Sequence, residues 1–431
     1  MDDEFLIYTI FMSWLVFGII SLFIIFFIVR WHNRRVLKEW NKLSRTWAIC
    51  PECGELIYPH HLRCCGHEQA VNPDLLDDDV NVPKTNPCSA CGRELLIHAD
   101  GLSGWTHYNR PQTCPQCGKN IGRYAGMFPE ILIPLLGATG VGKSAYLSAL
   151  ASQLKIKFSD RLTFPFPNTT AEYMKRFENG KPPRRTDITT QQPPGFMVDI
   201  QAVNKKKTRP DMRLFFYDPA GEVYNVGDNY AFLHCLDLMD GTVILIDPLS
   251  IPKIRNRYSN EQLKQSNTAN FQIGRDTRDV VQYLKEEIYQ RTYRDYEYEK
   301  RNSNDEHFYL DGLEKEEKEH HYARCAVVIT KCDAFDLDEL FGEAAIQREL
   351  SSHPELSYEN AMDAVCVRML QETWGSELQF LKEIFADVRC FSVSSFGCMP
   401  GDGKKFDPQR VELPLFWLLQ SKYAKILGKI K

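Results

Sequence analysis

Residues Glu130 to Ser144 read EILIPLLGATGVGKS, and this stretch decides the fold. The apolar run Glu130 to Leu136 suits a short buried strand. It ends on the spacing GxxxxGK[ST], and a helical stretch, Ala145 to Phe158, follows at once. Strand, glycine-rich turn and helix in that order mark a phosphate-binding loop. The glycines let backbone N–H groups wrap an oxyanion, so Gly137, Ala138, Thr139, Gly140, Val141, Gly142, Lys143, Ser144 and Ala145 are the expected binding residues. Lys143 is expected to neutralise the outer phosphate oxygens, and the Ser144 hydroxyl to complete a Mg²⁺ shell.

Further along, Met212 to Tyr217 (MRLFFY) is a buried-strand run that ends in Asp218-Pro219-Ala220-Gly221. A carboxylate at that strand end lies near Mg²⁺, usually through water, and the Gly221 N–H can reach a γ-phosphate. Ala326 to Thr330 (AVVIT) is a third apolar strand, running into Thr330-Lys331-Cys332-Asp333. A fourth, Cys390 to Val393, ends in Ser394-Ser395.

The TKxD pattern resembles the guanine-recognition motif of P-loop GTPases, and residues 129 to 431 as a whole resemble the TRAFAC class that includes the Ras-like and translation-factor families. The resemblance implies an α/β fold, a mostly parallel sheet flanked by helices, with GTP or GDP and Mg²⁺ as ligands. It implies that Asp333 accepts from the guanine ring N–H and amine, that the Lys331 stem packs over the base beside Thr330, and that a backbone amide at Ser394 or Ser395 meets the guanine carbonyl. In that class a hairpin pairs the second and third strands antiparallel. Gly195 to Val203 and Met212 to Tyr217 are the expected pair. The stretch DPAGE, followed by TVILIDP at Thr242 to Pro248, is similar to the double-GTPase-type domains of bacterial multi-gene conflict systems.

Two departures bear on catalysis. Where Ras-like enzymes carry a water-positioning Gln after DxxG, this chain has Glu222, so Glu222 is the catalytic candidate, and intrinsic hydrolysis is expected to be slow or to depend on another residue or a partner. The switch threonine is one of Thr186, Thr189 and Thr190, with Thr190 preferred because it is nearest the hairpin strand. Arg184 and Arg185 read either as an internal arginine finger or as a solvated turn. The domain, 128–431, exceeds a minimal core, and the excess falls in inserts at 163–194 and 250–321, the second ending in the acidic tract Asp311 to His321.

Ahead of this domain lie two unlike parts. Phe5 to Val29 carries no charge and is long enough at 1.5 Å per residue to cross a hydrocarbon core of about 30 Å. Asp2, Asp3 and Glu4 precede it and Arg30, Arg34, Arg35 and Lys38 follow. Residues 1–35 are therefore expected to be a single-pass anchor in the cell membrane with the C-terminal bulk in the cytoplasm. A cleavable signal peptide needs a basic start and a small-residue cleavage site, and neither is present.

Eight of the 14 cysteines then fall between Cys50 and Cys117. Cys88, Cys91, Cys114 and Cys117 form two CxxC knuckles with a spacer suited to a zinc ribbon. Cys50, Cys53 and Cys64 with His67 read as a second zinc site, whose fourth ligand is open among His67, Cys65, His60 and His61. Residues 46–122 are thus expected to be a tandem zinc-ribbon region. Disulfides require an oxidising compartment, which the topology excludes.

The whole chain has 431 residues, 43% hydrophobic, with Lys+Arg 52 against Asp+Glu 57 and a net charge of −5. That balance excludes a wholly disordered chain and a general nucleic-acid binder. Nucleic acid remains an option only through the zinc ribbons, against which the acidic linker Asp74 to Asp79 argues. The expected function is a membrane-anchored GTPase that binds protein partners, among them other members of a multi-gene system. The alternative is a GTP-dependent scaffold that does not hydrolyse. An ATP-driven P-loop enzyme is disfavoured by TKCD.

Overall fold

The computed structural model describes residues 14, 16–31 and six short strands within 48–122, then 129–431 except 159–161, 164–168, 184–195, 202–210, 218–238, 266–276, 287, 289–322, 399–404 and 431. The chain divides into two compact units, Met1–Glu130 and Ile131–Lys431.

In the first unit, residues 16–31 are helical and their large apolar side chains are exposed, Phe17 at 64% and Phe27 at 63%. Among the described residues no helix is long and apolar enough to cross a membrane. Residues 5–13 and 15 of the expected span lie outside the described residues. The short strands pair into antiparallel hairpins: Ala48–Ile49 with Leu56–Ile57, Asn86–Pro87 with Glu94–Leu95, and Gln112–Thr113 with Asn120–Gly122. Each connection carries one CxxC in sequence: Cys50 and Cys53, Cys88 and Cys91, Cys114 and Cys117. These cysteines, with Cys64 and His67, lie outside the described residues.

The second unit is mixed α/β around one seven-stranded sheet. Its strands are β1 (Glu130–Leu136), β2 (Leu162–Thr163), β3 (Phe196–Ile200), β4 (Met212–Tyr217), β5 (Gly241–Ile246), β6 (Arg324–Ile329) and β7 (Val388–Ser392), in the order β7-β6-β5-β1-β4-β3-β2. β5 pairs parallel with β1 and β6, and β6 with β7, while β4 pairs antiparallel with β3, and β3 with β2. The expected hairpin is therefore present, with Met212 opposite Ile200 and Phe216 opposite Phe196. β1, β4 and β5 are buried along their whole length, which explains why their sequences run apolar rather than alternating.

Pro134 interrupts β1 and lacks an N–H for the ladder. Neighbouring groups take over around it. The Thr242 hydroxyl donates to the Pro134 carbonyl at 3.1 Å, and Leu132 N–H donates to the Asp240 carboxylate at 3.1 Å. Regular pairing with β5 holds at Leu135 and Leu136, just before the phosphate-loop sequence.

Helices cover the sheet. α1 (Lys143–Lys157) follows β1 and buries Tyr146, Leu147, Leu150 and Leu154, the burial of each leucine worth about 1.5–3 kcal/mol. α2 (Thr169–Glu178) lies in the first insert. α3 (Glu343–Ser352) and α4 (Tyr358–Ile384) connect β6 to β7, with Ser357 capping α4 at Asn360 N–H. α5 (Leu413–Ile430) closes the chain, with Trp417, Leu418 and Leu419 buried. A Cβ on Gly241 of β5 would meet Leu418 Cδ2 at 2.9 Å, so α5 approaches the strand closely only because that residue is glycine. Phe416 packs against Phe158 beyond the end of α1, ring centroids 6.2 Å apart.

Candidate nucleotide site

β1 lies between β4 and β5, so the chain runs outward to opposite sheet edges from this strand. Ligands of open α/β sheets bind at the carboxyl ends of strands flanking such a switch point. The turn after β1 is built for close approach. A Cβ on Gly137 would meet Val141 Cγ1 at 2.9 Å and the Leu245 carbonyl at 3.0 Å. Gly142, at φ 102°, caps α1 in a left-handed conformation and offers no side chain to its first N–H groups. No acidic residue stands in that first turn, so the positive end of α1 is left for an anion.

Lys143 is buried and arches back over the loop, its Nζ donating to Gly137 O at 2.7 Å and reaching Ala138 O at 3.4 Å. The Thr139 hydroxyl is shielded from solvent and has no hydrogen-bond partner among the described residues. An orphaned polar atom there is costly unless a ligand oxygen satisfies it. Ser144 is half-buried at the start of α1.

The TKCD segment meets this loop from β6. Thr330 is 2% exposed, and its hydroxyl lies 3.0 Å from Val141 O and 3.1 Å from Ile246 O. Lys331 takes φ 55° and its ammonium pairs with the Asp247 carboxylate at 2.5 Å. Cys332 is buried, its N–H donates to Val393 O at 3.3 Å, and burial pushes its thiol up to about 12, so it is a core thiol. Asp333 is half-buried; burial raises its pKa, and the Ser394 hydroxyl, Lys331 and Arg410 act against that rise. Ser394 and Ser395 are buried, and the Ser394 hydroxyl accepts from Gly397 N–H at 2.8 Å.

Of the expected binding residues, the structure joins Thr330 to the loop 137–145 through Val141 and brings Asp333 to the Ser394 hydroxyl, while Lys331 pairs with Asp247. Thr190, Asp218, Gly221 and Glu222 lie outside the described residues.

Further residues escape sequence reading. Asp247 follows β5 directly. Thr277, 1% exposed in the second insert, donates to Leu245 O at 2.9 Å and lies 3.4 Å from the Ala138 N–H. Arg410, at φ 62°, donates to Ser392 O at 2.9 Å and pairs with Glu343 at 3.1 Å. Only Asp247 carried a sequence signal, as the acidic end of TVILIDP.

A mostly parallel sheet with a glycine-rich phosphate loop at its switch point and TKCD at the next strand end defines a P-loop GTPase domain. The sequence model of the family described as Double-GTPase 2 matches residues 131–362, just over half of the 431 residues, and the chain belongs to that family. No curated protein matches the chain. Among solved structures it is similar to the Saccharomyces cerevisiae Ski7 GTPase-like domain bound to GTP, at 14% identity over 68% of this chain and 50% of that one, TM-score 0.23. It is also similar to ttk003000868 from Thermus thermophilus, at 12% identity over 67% of this chain and 39% of that one, TM-score 0.26. The third is sup35 complexed with GMPPNP, at 11% identity over 62% of this chain and 38% of that one, TM-score 0.22. The chain spans half or less of the length of these structures, and the superpositions are too loose to bear on the site.

Proposed function

We propose that this protein is a membrane-anchored GTP-binding protein that hydrolyses GTP with Mg²⁺ and controls partner binding through its nucleotide-dependent loops. The observation that carries the reading is the junction of the two motifs: the Thr330 hydroxyl reaches the Val141 carbonyl inside the phosphate loop, while Asp333 and Ser394 sit together a few residues on. Family membership supports a guanine nucleotide as the ligand. The start of α1, whose Gly142 cap offers no side chain, and the Thr139 hydroxyl, which has no partner among the described residues, suit a polyphosphate.

In this reading Lys143 leaves its carbonyl partners for the outer phosphate oxygens, and the α1 N–H groups hold the chain of phosphates. Asp333 must be ionised to accept from the guanine ring. Ser144 and Asp218 are the hard oxygen donors that would hold Mg²⁺, and the ion would supply positive charge to offset the charge of the phosphates. Glu222 and Thr190 are the catalytic candidates. The loops around Thr190 and 218–224 are ordered by nucleotide and released on hydrolysis.

The CxxC pairs in the connections of three short hairpins fit zinc knuckles in a ribbon, and the exposed apolar helix within 16–31 fits a lipid-facing anchor. Partners are proteins, including other members of a multi-gene system. A second reading, a scaffold that binds GTP without turnover, is favoured by Glu222 in place of Gln.

Titration of the full chain in detergent with labelled guanine nucleotide and Mg²⁺ tests the proposal, with ATP as competitor. Absence of guanine-nucleotide binding rejects it. Single-turnover phosphate release then separates the hydrolase from the scaffold.

A further inference from the structure

We infer that Asp247 is a positioning residue for the guanine base, holding the Lys331 side chain in place to cover it. The inference rests on the GTP-binding reading above and adds a residue to it.

The Asp247 carboxylate is fixed at both oxygens. Oδ1 accepts from Leu249 N–H at 2.9 Å, capping the short turn Pro248–Ser250, and Oδ2 takes the Lys331 ammonium at 2.5 Å. Its backbone carbonyl accepts from the Ser250 hydroxyl at 2.7 Å and the Ser250 N–H at 3.0 Å, so the residue that presents the carboxylate is itself held. The pair is partly shielded, with side-chain exposures of 14% and 24%, where a charge pair is screened less than on an open surface.

The backbone brings these side chains together. β5 and β6 pair in register to Ile246 opposite Ile329, and Thr330 N–H donates to Ile246 O at 2.9 Å just past the ladder. The next residue on each strand is Asp247 and Lys331. Lys331 takes φ 55°, a conformation that L-residues rarely adopt, and such strain persists only where neighbours determine it. Here Thr330 is held by the phosphate loop and Asp333 by Ser394.

A lysine stem has four rotatable bonds, and ordering it over a base costs rotamer entropy at the moment of binding. An ammonium already anchored at Asp247 has lost that freedom, and two of its three donors remain for the nucleotide. Preorganisation of one such side chain corresponds to about a 5- to 30-fold gain in affinity.

The test measures guanine-nucleotide affinity by displacement of a fluorescent analogue from the full chain in detergent with Mg²⁺, for wild type, Asp247→Asn, Asp247→Ser, Lys331→Met and Asp247→Asn/Lys331→Met. Asn and Ser keep an acceptor for Leu249 N–H but remove the charge. Both are expected to bind GTP and GDP about 5- to 30-fold more weakly with an unchanged melting midpoint. In the Lys331→Met background Asp247→Asn is expected to have no further effect, because Asp247 acts through that lysine.

Affinity within twofold of wild type in Asp247→Asn overturns the inference, as does an undiminished effect of Asp247→Asn when Lys331 is Met. Loss of cooperative melting in both Asp247→Asn and Asp247→Ser overturns it as well, since Asp247 is then a structural residue. Failure of the wild type to bind any guanine nucleotide removes the GTP-binding reading itself, a result distinct from tight binding by wild type and variant alike.

Discussion

Replacing Thr330 with Val removes one hydroxyl from the junction between the base motif and the phosphate loop while keeping nearly the same shape. In the folded protein that hydroxyl lies 3.0 Å from Val141 O and 3.1 Å from Ile246 O, at a residue 2% exposed. Ile246 O keeps the Thr330 N–H at 2.9 Å, so the loss falls on the Val141 carbonyl. Leaving a buried acceptor short of its donor costs about 1–3 kcal/mol. At about 2 °C per kcal/mol for a unit of this size, Tm should fall by about 2–6 °C. Because Val141 is inside the phosphate loop, nucleotide affinity should fall with it, by roughly fivefold or more. Thr330→Ser is the control. It loses a methyl group, worth about 1 kcal/mol of stability, but retains the hydroxyl and should bind nucleotide as the wild type does. Thermal unfolding by circular dichroism and displacement of a fluorescent guanine nucleotide supply the two readings. Equal nucleotide affinities for the Val and Ser variants would refute the brace, whatever the melting temperatures show.

Arg410→Met should move the pH dependence of nucleotide binding. Burial raises the Asp333 pKa, so the fold favours its protonated form, whereas guanine recognition needs the carboxylate; affinity therefore falls as pH drops through that raised pKa. Removing the Arg410 charge raises the pKa further, so the binding midpoint should shift to higher pH, and an unmoved or lowered midpoint contradicts the assignment. On the hairpin, Arg213 and Asp199 form a buried bidentate pair at 2.6 and 3.1 Å, with exposures of 3% and 6%. Arg213→Met strands the carboxylate and should cost about 3–5 kcal/mol in urea unfolding, whereas adding Asp199→Leu should recover part of that loss. Metal analysis of the purified chain should return roughly two zinc ions, and a strong chelator should abolish the folded signal of residues 46–122. Cys88→Ser should lower that stoichiometry by about one.

The phosphate loop was legible because everything that specifies it is local: an apolar strand, glycines and a helix within one short stretch. The helix begins at Lys143 rather than Ala145, since Gly142 already supplies the cap. β7 begins at Val388 rather than Cys390 for a non-local reason. Val388 and Arg389 pair with Cys325 and Ala326, and the Arg389 guanidinium sits 5.8 Å from the Trp417 ring centre of α5, so a charged residue is carried inside the ladder. Thr277 and Asp247 act on partners 139 and 84 residues away. No periodicity encodes such a contact; it exists only once the sheet has brought the strand ends together. The second insert, read in the sequence as excess length ending in an acidic tract, delivers Thr277 to the phosphate loop.

The end of β5 links the two halves of the site, and it does so mainly without side chains. Leu245 O accepts from Thr277, which also reaches the Ala138 N–H. Ile246 O accepts from Thr330 N–H and lies within reach of its hydroxyl, which is 3.0 Å from Val141 O. Asp247 then holds Lys331. Leu245 and Ile246, at the end of this fully buried strand, have apolar side chains, so their backbone groups are the polar groups they have left to offer. Substitutions at Leu245 or Ile246 would therefore report packing alone. The wiring between phosphate and base is exposed to mutation only at its other ends, Thr277, Thr330 and Lys331, and at the first residue past the strand, Asp247.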